Sequence, residues 1–170
     1  INPEQIESRY FGILTKIFNV GRFASQFDFG GDLDKVPDNL EYEDQWILAE
    51  FSDLLETARV GYSGLDIYTA AQGIKTFSTG VFASHWLEMS KTRLYNGDTS
   101  ATWTLHRIFR DLLSILSPIC PFFTHHLSTI LYEKSAVDVD TFPEIPMAGT
   151  EEWTKITDSL VGFNSAVWKA

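Results

Sequence analysis

Apolar residues recur at helical spacing along most of the chain, and the breaks between runs collect Gly, Pro, Asp and Asn. From Asn2 to about Phe27, Ile6, Ile13, Ile17, Val20 and Ala24 hold one face, and Pro3 suits a first helical turn. The stretch DFGGDLDKVPDN, Asp28 to Asn39, has almost no period and reads as an exposed connection. A second helix is predicted from about Tyr42 to Tyr62, with Trp46, Ile47, Leu54, Leu55 and Ala58 turned inward. After the break at SGLD comes a long helix, roughly Ile67 to Tyr95, carrying Ala70, Ala71, Ile74, Phe77, Val81 and Phe82. Gly73 and Gly80 on it argue against a straight, uniform rod. NGDTSATW then turns the chain and caps a fourth helix through Asp98 or Thr99; Leu105, Ile108, Leu112, Ile115 and Leu116 keep its period to Ser117. A fifth helix starts near Pro121, SAVDVDTFPEIPMAG is extended or irregular, and TEEWTKITDSLVGFNSAVWKA makes a sixth.

Helices joined mostly by short turns, with no repeat of 20–50 residues and no run of strands, define an all-α fold: an antiparallel helical bundle of about five to six helices. Residues 1–145 are expected to form the bundle, and 146–170 a C-terminal helix after the extended segment. A chain of 170 residues with 44% hydrophobic composition buries a substantial core. One cysteine cannot form an internal disulfide, which favours a reducing compartment. The opening INPEQIESRYFG has no initiator Met, no basic lead and no apolar signal, so the chain reads as a piece of something longer.

Thirteen Lys and Arg against twenty-three Asp and Glu give a formal net charge of −10. That balance argues against a dedicated nucleic-acid binder, because phosphate affinity comes from cations. Any RNA contact has to be a local basic face on an acidic body.

Chemistry-bearing residues gather at SPICPFFTHHL, where Cys120, His125 and His126 sit between and beyond Pro118 and Pro121. A metal site needs converging ligands, but adjacent histidines on a helix point about 100° apart and neither has a second ligand three or four residues away. A Cys–His hydrolase reading gains no oxyanion or orienting motif. The stretch is better explained as a joint: Pro118 cannot continue one helix and Pro121 suits the first turn of the next. Cys120 then behaves as a small apolar group. The other lure, MSKT, resembles the lysine-bearing ATP loop of class I aminoacyl-tRNA synthetases, but it lacks glycine-rich surroundings and a nucleotide-binding sheet signature. Lys91 and Arg93 here are expected to serve the helix's negative C-terminal end or a solvated face.

The first helix carries more. Ile6, Tyr10, Ile13, Leu14, Ile17, Val20 and Ala24 fall within an arc of about 120°, while Arg9, Lys16, Asn19, Phe23 and Phe27 share the neighbouring arc, with Arg22 beyond Asn19. Cations bind phosphate, an amide reads a base edge, and a ring stacks an unpaired base. The plainer alternative is that the two rings pack on other helices and the cations are solvated.

Four segments in order resemble one family. TKIFNVGRF is similar to an NKLWNxxRF helix, DQWILAEF to a DxWILxxL helix start, DIYTAAQGIKTFSTGVFASHWLEMSKTRLY to a long Y.AA..L..F helix ending K.RLY, and LLSILSPICPFFTHHLSTILY to LL.LL.P..P..TEEL. Together they resemble the anticodon-binding helical domain of class Ia aminoacyl-tRNA synthetases, over about Arg9 to Pro143. The ending LEMSKTRLY is most like the valyl branch, archaeal type; isoleucyl and leucyl branches are the neighbours. The chain departs from the pattern where a family Trp gives way to Thr79 and Gly80, and where His125 and His126 replace an acidic pair.

The resemblance implies a domain that holds the tRNA anticodon stem-loop for a larger cytoplasmic enzyme. It also implies partnership with catalytic and editing domains of the same polypeptide, and no membrane. No catalytic residue, metal or cofactor is expected here, since ATP and Mg belong to the parent's catalytic domain. Carried over residue by residue, the motif puts Lys16, Asn19 and Arg22 toward the anticodon loop with Phe23 nearby, and offers Arg9, Lys91 and Arg93 as further phosphate contacts. The rival from a different class is a helical protein-interaction module using the same aromatic strip for docking.

Overall fold

The computed structural model describes residues 11–133, 142–145 and 150–167, and the described residues form helices without strands. The start of the predicted first helix, with Ile6, Arg9 and Tyr10, and most of the predicted extended segment lie outside them.

Helix α1 spans Phe11–Ala24 and buries Ile17, Val20, Gly21 and Ala24, the face its periodicity predicts. Helix α2, Tyr42–Ser63, opens with Glu43 and Asp44 in its first turn, where carboxylates complement the exposed amide protons of a helix start. Its Trp46, Ile47, Leu54, Leu55 and Ala58 are all buried as expected.

The long third helix is not uniform. Helix α3, Ile67–Lys75, and helix α4, Leu87–Tyr95, are α-helical, but Thr76–Trp86 between them winds as a π-helix. The wider winding explains the aromatic spacing: Phe77, Phe82 and Trp86 are buried and stack in a column, with centroids 5.8 Å and 5.4 Å apart. Steps of five and four residues share one face only when each turn holds more than 3.6 residues.

Helix α5, Thr99–Leu116, is the central pillar. Every residue from Ser100 to Phe109 is buried, so neighbouring elements enclose it on all sides. The Asp98 side chain caps it by accepting from the Ala101 amide at 3.1 Å. Gly21 lets α1 settle on it, since a β-carbon there would lie 2.9 Å from the Phe109 ring.

Helix α6, Pro121–Tyr132, starts with Pro121 in its first turn directly after Cys120, which is the joint the prolines predict. Burial raises the Cys120 thiol pKa, so the sulfur stays protonated. His125 and His126 are exposed, and among the described residues no group of three His, Cys, Asp or Glu side chains is placed to hold a metal ion.

The predicted sixth helix is two, α7 at Thr150–Thr154 and α8 at Thr157–Val167, with a turn at Lys155 and Ile156. They dock back onto the bundle. Trp46 donates through its indole N–H to Thr157 Oγ1 at 2.9 Å, the Thr157 hydroxyl donates to Glu50, and the Trp153 ring lies against Tyr42.

Candidate nucleic-acid interface

The residues singled out on α1 divide by what they touch. Asn19 and Arg22 are exposed. Lys16 is half-buried and points at the π-helical segment, where its Nζ donates to the Thr79 carbonyl at 2.7 Å and to Ser84 Oγ at 2.8 Å. Ser84 Oγ in turn donates to the same Thr79 carbonyl at 2.6 Å, closing a triangle. Thus Lys16 joins α1 to the place where the family pattern has a Trp and this chain has Thr79 and Gly80. Nearby His85 is buried, and burial, with the Lys16 charge second, holds its pKa below the ordinary imidazole value.

Phe23 and Phe27 do pack, as the plainer reading of the strip has it, but on each other and on one further ring. Their centroids are 4.9 Å apart at 61°, and Tyr95 at the end of α4 lies 6.1 Å from Phe23 and 5.4 Å from Phe27. All three contacts are edge-to-face, the arrangement ring quadrupoles favour. Both phenylalanines are half-buried, while Tyr95 is 64% exposed.

Tyr95 was not legible as a site residue in the helical pattern, because its ring neighbours, Phe23 on α1 and Phe27 in the turn where that helix ends three residues earlier than predicted, lie some seventy positions away in the chain. Beyond Phe27 opens a cavity of about 400 Å³ lined by Phe29, Leu33, His106, Leu131 and Tyr132. Burial depresses the His106 pKa, with opposing help to the charged form from the Phe27 carbonyl and Asp28. His106 Nε2 donates to the Phe27 carbonyl at 2.6 Å, and the Tyr132 hydroxyl, 3.3 Å from Nδ1, donates to the His106 carbonyl at 3.3 Å.

The remaining cations are differently placed. Lys91 pairs with Glu88 one turn back on the surface at 2.6 Å. Arg93 is turned into the bundle instead of serving the end of its own helix. Its Nε meets Asp98 at 2.8 Å, Nη1 meets Glu43 at 2.9 Å and Asp44 at 3.1 Å, and Nη2 meets Asp44 at 2.7 Å. Asp44 is fully buried and accepts also from Ser100 Oγ at 2.7 Å and the Trp86 indole at 3.3 Å. Burial opposes the Arg93 charge, but the carboxylates outweigh it and raise the pKa further. This cluster pins the start of α2, the end of α4 and the start of α5 to one point. It therefore fixes where Tyr95 and Lys91 stand.

The described residues thus form an all-helical bundle in which the exposed Asn19 and Arg22 of α1 lie on the same side as a ring cluster drawn from two parts of the chain. The family model for the anticodon-binding domain of tRNA ligase matches residues 44–169, and the chain belongs to that family. Among curated relatives, it is 35% identical over 167 residues to the valine–tRNA ligase of Aeropyrum pernix, covering 91% of this chain and 20% of that one. It is 33% identical over 134 residues to that of Sulfurisphaera tokodaii, covering 78% and 16%, and 31% over 168 residues to that of Pyrobaculum aerophilum, covering 92% and 20%. The chain thus spans about a sixth to a fifth of the length of these relatives.

Proposed function

We propose that the chain is the tRNA-recognising helical domain of a valine–tRNA ligase, and that it holds the anticodon stem-loop while other domains of the same polypeptide do the chemistry. That chemistry is activation of valine with ATP and Mg and its ligation to the tRNA, in the cytoplasm. The observation that carries the reading is the exposed pair Asn19 and Arg22 on α1, set beside the Phe23, Phe27 and Tyr95 rings in a chain of this family. Arg22 supplies a phosphate contact and Asn19 a base-edge hydrogen bond. Lys16 and Phe23 form the floor of the face, with Lys16 holding it against the π-helical segment. Lys91 reaches a phosphate by leaving Glu88, and Arg9, outside the described residues, is a further phosphate contact. Arg93 acts by shaping the ends of three helices.

The test is anisotropy of a labelled valine-tRNA anticodon stem-loop, titrated with the chain at several salt concentrations. Because the body carries a net charge of −10, binding is expected at low salt and is expected to fade steeply toward physiological salt. Arg22→Ala should lower the slope of log K against log salt by about one. An affinity indifferent to salt, or one unchanged when Asn19→Ala and Arg22→Ala are combined, would overturn the reading and favour a protein-docking surface.

A further inference from the structure

Tyr95 presents a physical oddity. A large ring ordinarily stabilises a fold by burial, yet this one is 64% exposed at the last position of α4. Its mounting is nevertheless rigid. Leu94 before it is 2% exposed in the core, and Arg93 before that is fixed by Glu43, Asp44 and Asp98. Beyond it Gly97, at a φ of 76°, turns the chain into the next helix. Phe23 on α1 and Phe27, three residues past its end, meet the ring edge-to-face and set its orientation. An open ring surface is thus held in place before any ligand arrives, which cuts the ordering cost of binding.

The surroundings indicate what it meets. Lys91, paired with Glu88, lies one turn before Tyr95 on the same helix, and the exposed Arg22 precedes Phe23, one of the two rings that touch Tyr95. The exposed amide of Asn96 follows directly. An open, pre-oriented ring beside an exposed amide, in contact with rings of the face that carries Arg22, suits a nucleotide with its base unstacked from its neighbours. We infer that Tyr95 is the stacking platform for an unpaired base of the bound RNA loop, with Phe23 and Phe27 as the rings that position it. The inference rests on the RNA-binding reading of the same face and adds a residue from a second helix to it.

The test measures affinity of the full 170-residue chain for the anticodon stem-loop at low salt, for the wild type, Tyr95→Phe and Tyr95→Ala, against RNAs carrying one abasic site at each loop position in turn. Tyr95→Phe is expected to hold within about two-fold, while Tyr95→Ala loses roughly five- to a hundred-fold, the range of one stacked base. One abasic position should weaken the wild type by a comparable factor and Tyr95→Ala no further, which a merely structural role would not produce. Circular dichroism of Tyr95→Ala should match the wild type. If the wild type binds the stem-loop but Tyr95→Ala stays within about two-fold of it, the platform is overturned and the RNA reading survives. If the wild type binds no stem-loop at any salt, both fall.

Discussion

Asp44→Ala strikes the point where three helix ends meet. The carboxylate is fully buried and accepts two hydrogen bonds from Arg93, one from Ser100 and one from the Trp86 indole. Truncation leaves the Ser100 hydroxyl and the Trp86 N–H buried without their partner, and leaves Arg93 with Glu43 and Asp98 alone. Breaking one side of a buried ion pair costs about 3–5 kcal/mol, because the other side keeps its desolvation penalty. Against a typical domain stability of about 5–15 kcal/mol that is a large share. Asp44→Asn keeps an acceptor oxygen and the packing but loses the charge, so about 1.5–3 kcal/mol is expected, the worth of a charge-assisted bond. Urea unfolding followed by circular dichroism measures both, with the m-value unchanged if the native state stays compact. A loss below about 1 kcal/mol for Asp44→Ala would refute the claim that this cluster organises the bundle. It would also remove the reason for regarding the Tyr95 mounting as rigid.

Three other perturbations probe the same physics. Burial raises the Glu50 pKa, against the Thr157 hydrogen bond and with help from Asp53 and Asp158. Its folded-state pKa therefore exceeds the unfolded value, and the fold gains stability as pH falls from neutral through that pKa; Glu50→Gln should be more stable than the wild type at neutral pH and should lose this pH response in thermal melts. His106 behaves oppositely, its folded pKa lying below the ordinary value. Its stabilising contribution is complete above the unfolded pKa and is lost as pH falls through the folded one. Wild type should accordingly lose more stability than His106→Gln between about pH 7 and pH 5. Gly21→Ala drives a methyl group into the buried Phe109 ring and should cost about 1–3 kcal/mol by urea unfolding, since a buried ring cannot swing aside.

Periodicity and capping chemistry are local, and they determined most of the architecture. The inward faces of α1, α2 and α5, a cap at Asp98 or Thr99 that the structure gives to Asp98, and the proline joint at Cys120 all follow from residues within a few positions of each other. So did the family, because its motifs are contiguous strings on single helices, and so did the choice of α1 as the face to examine. What the chain could not disclose locally was partnership across long separations. Lys16 and Arg93 look alike in sequence as cations on polar arcs. Folding brings one to a carbonyl 63 positions away and the other to a buried carboxylate 49 positions away. The π-helical winding of Thr76–Trp86 likewise breaks the 3.6-residue rule by which Trp86 would have been recognised as core. Tyr95 joined the aromatic strip only when α4 was laid beside α1. A side chain's type sets what it can bond to, but burial and the neighbours delivered by tertiary packing decide whether its charge or ring remains available to a ligand.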